Sequence, residues 1–151
     1  MAARTIEHTH EADHALREAL EANGQRFTEQ RAAVYRFLCG NSEHPTADDI
    51  YAGVRGALPD ISLATVYKAL ETLVSCGLAS KHSFGDGSAR FDPCADDHCH
   101  SRCLTCGAVR DVRSLPVPGS MVGGLLTDDF QVQGVRLEVV GYCRACTSIT
   151  R

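Results

Sequence analysis

Residues 62–92, SLATVYKALETLVSCGLASKHSFGDGSARFD, change their period part-way along, and that change decides how the first half of the chain is read. Up to Cys76 the apolar residues recur at helical spacing, so that Val66, Leu70, Leu73 and Val74 share one face. Ser62 is placed to cap this helix and Gly77 to end it. The opposite face, with Ala64, Thr65, Tyr67 and Lys68, is left toward solvent or a partner. Beyond Gly77 the pattern alternates: GLASKHSF and SARFD flank Gly85, Asp86 and Gly87, a hairpin signal. A helix followed by a two-stranded hairpin describes a winged helix with 62–73 as its recognition helix, and it also describes a helical bundle with a hairpin lid. The pattern alone leaves both open.

Upstream the chain reads as short, well-punctuated helices. EADHALREALEANG repeats apolar residues at helical spacing and ends at Gly24, and Thr28 can cap EQRAAVYRFLC, which stops at Gly40. Pro45 precedes a capping box, Thr46 with Asp49, that opens ADDIYAGVRGAL. From Pro93 onward the pattern becomes strand-rich, as in RCLTCGAVRDV and FQVQGVRLEVVGYC. Between these runs, SLPVPGSMVGGLLTDD offers only a weak helix because of Pro118, Gly119, Gly123 and Gly124. The expected class is α+β, divided into a first domain over 1–92 and a second over 93–151.

A chain of 151 residues can bury a real core or split into two small ones. It shows no apolar run of membrane-spanning length, and MAARTIEHTHEADH lacks the apolar segment of a secretory signal, so a cytoplasmic protein without a membrane partner is expected. In that reducing compartment eight cysteines are poorly explained as disulfides. The net charge of −4 opposes a whole-surface grip on nucleic acid but allows a local basic patch.

Cys103 with Cys106, and Cys143 with Cys146, are two CxxC units, each at the end of a strand-like run. Two intervening residues let a tight turn aim both sulfurs at one ion, and Gly107 supplies the freedom such a knuckle needs. Four thiolates make a closed site suited to structural zinc. A thioredoxin-like role is disfavoured because neither pair is expected to open a helix in a βαβ unit. Nearby, His98 and His100 are separated by one residue, so on a strand both rings project from one face while Cys99 points away. Asp111 on the next strand can fold back beside them, and Asp92 ends the hairpin at the junction of the two halves. Imidazoles with carboxylates suit iron(II), manganese(II) or zinc. Each residue also has a bland reading, as a solvated polar side chain or a turn carboxylate.

Taken in order, HPTADDIY (44–51), SLATVYKALETL (62–73), GDGSARFD (85–92), DHCH (97–100), CLTCG (103–107) and CRAC (143–146) resemble the motifs of the ferric uptake regulator family. The resemblance implies a homodimeric, metal-dependent transcriptional repressor that binds a palindromic double-stranded DNA operator and is not an enzyme. It further implies an N-terminal winged-helix DNA-binding domain and a C-terminal α/β dimerisation domain with a four-cysteine zinc site. It places the regulatory metal, iron(II) or manganese(II), on His44, Asp92, His98, His100 and Asp111, and the structural zinc on Cys103, Cys106, Cys143 and Cys146. Two aspartates with three histidines look most like the peroxide-sensing branch, in which the rings of His44 and His98 would be the oxidised groups; the iron-sensing branch tends to carry glutamate. Val135 stands where many iron regulators place a histidine, and Cys94 and Cys99 are thiols the pattern does not require.

For DNA, Tyr67 suits apolar contact with a thymine methyl, Lys68 a base edge or phosphate, and Arg26 the backbone, beside Ser62, Ala64 and Thr65 on the same helix end. The alternatives are an iron- or zinc-uptake regulator of the same family, or a zinc-ribbon interaction module without DNA binding. An enzyme reading lacks its motifs: there is no HExxH, and no HxE paired with PCxxC.

Overall fold

The computed structural model describes residues 2–84, 87–93, 98–112 and 137–147, with side chains from residue 10 onward. Gly85 and Asp86 of the expected turn, Cys94, the Gly- and Pro-containing segment 114–129 and Val135 lie outside the described residues. The chain forms two compact units, Met1–Asp96 and Asp97–Arg151.

The first unit holds helices α1 (Ala2–Ala22), α2 (Glu29–Cys39), α3 (Ala47–Val54) and α4 (Leu63–Ser75), then strands β1 (Ser80–Ser83) and β2 (Ala89–Asp92). Helix α1 begins well before the periodic stretch that predicted it, because the residues ahead of Glu11 contain no glycine or proline to stop it. It ends where glycine permits a left-handed turn: Gly24 has φ +65, and the Gln25 N–H returns to Leu20 O at 2.8 Å. Helix α3 is shorter than ADDIYAGVRGAL and gives way at Arg55, ahead of Gly56. Helix α4 ends at Cys76, with Gly77 at φ +71.

Leu16 and Leu20 of α1, Val34 and Leu38 of α2, Ile50 of α3, and Val66, Leu70 and Leu73 of α4 form one buried cluster. Val74, expected on this face, is only partly buried at its edge. The Arg36 guanidinium clips α1 to α2, donating to both carboxylate oxygens of Asp13 at 2.7 Å and holding that carboxyl below its usual range. Helices α2 and α3 approach so closely that a Cβ at Gly53 would lie 2.0 Å from Phe37 Cε2. Strands β1 and β2 pair antiparallel from Ser80↔Asp92 to Ser83↔Ala89, completing the winged-helix arrangement.

The capping box of α3 is fully made: Thr46 N–H donates to Asp49 Oδ2 at 2.9 Å and Asp49 N–H to Thr46 Oγ1 at 3.2 Å. The side chain and amide of Thr46 hold the Asp49 carboxyl below its usual value. A carboxyl lowered in the folded state stabilises above its unfolded pKa and loses that contribution as pH falls through the folded one. Asp49→Asn should therefore lower stability by about 1 kcal/mol near neutrality. Urea unfolding followed by circular dichroism should show the gap between variant and wild type closing below about pH 4. A gap that persists unchanged at low pH would refute the assignment.

In the second unit β3 (Cys99–Cys103) lies between β4 (Val109–Val112), antiparallel, and β5 (Glu138–Gly141), parallel, and a one-turn helix α5 (Arg144–Thr147) follows. Arg102 pairs with Glu138 across β3 and β5 at 2.5 Å. Among the described residues of this unit the buried apolar set is Cys99, Cys103, Val109 and Cys146. Cysteines thus take the place of the large aliphatic side chains of the first unit. No helix among the described residues is long and apolar enough to cross a membrane.

Candidate metal centres and nucleic-acid interface

The antiparallel turn after β3 is a knuckle. Gly107 N–H returns to Cys103 O and Cys103 N–H to Ala108 O, each at 2.9 Å, with Gly107 at φ +70. At the second pair a single helical turn, Arg144–Thr147, is closed by Cys146 N–H and Thr147 N–H on Cys143 O at 2.9 Å. RACT contains no residue that opposes a helical turn, and the turn carries Cys146 back toward Cys103. The sulfurs of Cys103, Cys106, Cys143 and Cys146 all lie within 4.8 Å of one another. Cys106 Sγ and Cys143 Sγ are 3.7 Å apart, far beyond a disulfide bond and close to the ~3.8 Å edge of a tetrahedron with Zn–S bonds of about 2.3 Å. The backbone amides of Cys106 and Cys143 aim at Cys103 and lower its thiol to about 6, the second donating at 3.3 Å. Crowding of Cys146 against the Cys143 thiol, with burial, pushes it up to about 12. Four sulfurs so close cannot all ionise without a cation among them, and the donor set fits zinc.

In the first unit, His44 and Asp92 form a buried pair, Nε2 to Oδ2 at 3.2 Å, each with only 3 % of its surface exposed. Local structure explains the placement. The chain at 44–46 runs beside β2, with a bridge between Thr46 and Arg90, the Phe91 N–H on Pro45 O at 3.0 Å and Arg90 Nη1 on His44 O at 3.3 Å. His44 takes φ +50, the one non-glycine residue with positive φ among those described. Such a conformation is held against a cost of order 1 kcal/mol or more, and sites that need a side chain aimed in one direction hold it. Sequence reading did not single out Arg90, whose grip on the His44 carbonyl becomes visible only in three dimensions.

In the second unit the β3–β4 register puts His100 opposite Asp111. His98 stands just before β3 rather than within it, yet its ring centroid is 4.4 Å from that of His100 and its Nε2 is 3.2 Å from Asp111 Oδ1. Cys99, between the two histidines, is buried and opposite Val112 in the ladder. Separations of 3.2 Å suit an imidazole–carboxylate hydrogen bond, and equally two donors on one ion, which at bond lengths of about 2.1 Å stand roughly 3.0 to 3.4 Å apart.

On α4, Ala64, Tyr67 and Lys68 are exposed and Thr65 half-exposed. Ser62 is committed to the helix end: its Oγ accepts from Thr65 N–H at 3.1 Å and lies 2.8 Å from Thr65 Oγ1. Arg26, in the α1–α2 connection, shares with Thr65 and Lys68 an open groove of about 640 Å³.

The sequence matches the ferric uptake regulator family over residues 22–140. It is 38% identical over 139 residues to the peroxide operon regulator of Bacillus subtilis (strain 168), covering 90% of this chain and 96% of the relative. In fold it is similar to the Helicobacter pylori ferric uptake regulator, with a TM-score of 0.76 at 19% identity, over 92% of this chain and 93% of that one. It is also similar to the peroxide-sensing regulator PerR from Streptococcus pyogenes, with a TM-score of 0.52 at 28% identity over 89% and 92% of the two chains. A winged helix followed by a small sheet with a four-cysteine cluster, and a family match spanning most of the chain, place this protein in the ferric uptake regulator family.

Proposed function

We propose that this protein is a homodimeric, metal-dependent repressor that binds a palindromic operator when iron(II) or manganese(II) is bound and releases it on exposure to peroxide. The observation that carries the reading is the division of donors: two, His44 and Asp92, on the first unit and three, His98, His100 and Asp111, on the second. The all-aspartate carboxylates and the likeness to the Bacillus subtilis peroxide operon regulator support the peroxide branch over iron or zinc uptake control.

In this proposal the five side chains gather on one ion, so that occupancy sets the angle between the DNA-binding and dimerisation halves. In a dimer that angle sets the spacing of the two α4 helices, which must meet major grooves about 34 Å apart or a multiple of it. Tyr67 and Lys68 then read or grip the duplex, flanked by Arg26, Ala64, Thr65 and the Ser62-capped helix end. Exposed Val139, Val140 and Tyr142, on and beside β5, supply an apolar surface for the dimer, and zinc on the four cysteines staples the unit that carries it.

His44, Asp92, His98, His100 and Asp111 would hold the ion, and iron(II) there would supply one-electron chemistry toward peroxide that manganese(II) would supply far more slowly. A ring C–H of His44 or His98 would become C–O, the imidazole losing two electrons to peroxide whose other oxygen leaves as water, and the oxidised imidazole would donate less strongly. Domain angle and operator grip are lost together.

The test is an electrophoretic shift assay with peptide mass spectrometry, run on iron- and manganese-loaded protein before and after brief peroxide treatment. One added oxygen on peptides containing His44 or His98, in the iron form only and together with loss of the shift, is the expected result. Release that tracks Cys99 or Cys94 oxidation, or that occurs equally with manganese, contradicts the histidine mechanism.

A further inference from the structure

Arg31 occupies an unusual place. It is the third residue of α2, and its backbone N–H donates to the Thr28 cap. The same position of α3 carries Asp49, which closes a capping box. A cation in the first turn of a helix opposes the macrodipole and forgoes that reciprocal bond, so something other than helix stability is served by an arginine there.

The guanidinium instead reaches three ways. It donates through Nη1 to the Arg26 carbonyl, and through Nη2 to Gln25 Oε1 at 3.2 Å and Thr72 Oγ1 at 3.3 Å. It thereby ties the α1–α2 connection to α4. Thr72 is itself oriented for this, since its hydroxyl donates to Lys68 O at 2.9 Å and so turns its oxygen lone pairs outward. The groove beneath the tie is lined by Gln25, Arg26, Arg31, Thr65 and Lys68 among others, with no carboxylate in its walls. Among the described residues none of these three cations is in an ion pair. In a chain of net charge −4, three unneutralised cations around one open groove are a local inversion of the field.

We propose that this groove takes a single backbone phosphodiester of the operator, and that Arg31 is the positioning residue that sets Arg26 and Lys68 on its two sides while adding its own charge. The inference rests on the DNA-binding reading above and assigns it a residue that neither the motifs nor the exposed face of α4 contains. A planar fork fixed by three acceptors loses little freedom when an anion arrives, which suits a phosphate site better than a mobile lysine would.

The experiment uses full-length, manganese-loaded protein and a duplex selected from a random pool, with affinity measured across a range of salt. Arg31→Gln should lower affinity roughly 10-fold and reduce the salt slope by about one. Thr72→Val, which removes one anchor and no charge, should weaken binding roughly 2- to 10-fold with the slope unchanged. Arg31→Lys keeps the charge without the fork and should behave like Thr72→Val, which preserves the test if the glutamine variant folds poorly. A methylphosphonate placed at each phosphate in turn should weaken wild type at one position per half-site and leave Arg31→Gln unaffected there. Wild-type slope in Arg31→Gln, or wild-type affinity in both Thr72→Val and Arg31→Lys, overturns the inference while leaving the repressor reading in place. A wild-type protein that binds no selected duplex removes both.

Discussion

Serine in place of Cys146 should abolish metal retention at the four-sulfur cluster and unfold residues 97–151, the largest single effect expected in this protein. Among the described residues the second unit buries Val109 and three cysteines but none of the long aliphatic side chains that fill the first. A small unit with so little apolar burial relies on a staple. Structural zinc contributes apparent binding free energies of about 10 to 16 kcal/mol in small domains, as large as the whole stability of an ordinary domain at roughly 5 to 15 kcal/mol. Removing one thiolate also leaves Cys106 and Cys143, 3.7 Å apart, without the cation that reconciles them. Metal analysis should fall from one zinc per chain to a small fraction. Limited proteolysis should then cut the second unit while α1 to α4 resist. A Cys146→Ser protein that keeps full zinc and an uncut second unit would show that the cluster is not a zinc staple.

The second large effect belongs to His100. His100→Ala should erase the difference in DNA affinity between metal-loaded and metal-free protein, a loss of about 5- to 150-fold for a coupling of ordinary size, while zinc content and helicity stay as in wild type. Asp111→Ala should do the same, because its carboxylate stands 3.2 Å from His98 Nε2 and opposite His100 in the ladder. His44 allows a sharper version. Its backbone sits at φ +50, where glycine is at ease and other residues are strained. His44→Gly is therefore expected to remove the metal response, with relief of backbone strain, about 1 kcal/mol, offsetting only part of the cost of emptying a buried site and taking the 3.2 Å imidazole partner from the Asp92 carboxylate. Titration with manganese monitored by shift assay and by thermal melting reads both at once. Retention of a full metal response in His100→Ala would refute the proposed role of that ligand set.

The sequence by itself determined the elements and their chemistry. Helices α2, α3 and α4 begin at Thr28, Thr46 and Ser62 because a hydroxyl that accepts the third amide is a local event, complete within four residues. The α4 core face, Val74 aside, and the strands after it follow from period, which by itself left a winged helix and a bundle with a hairpin lid both open. The CxxC spacing likewise carried the knuckle at Cys103, since a tight turn needs no distant partner.

Tertiary structure decided what depends on packing between segments far apart in the chain. The turn at Cys143–Cys146 became helical because its sulfurs must meet a knuckle some forty residues away. His44 acquired its left-handed backbone and its aspartate from a strand that follows it by 48 positions. Arg31, on sequence an ordinary helix residue, became a tie to Thr72, 41 residues on. Local rules act through covalent neighbours and leave their mark in spacing. A side chain's partner across the fold is set by which helices pack together, and no spacing records it.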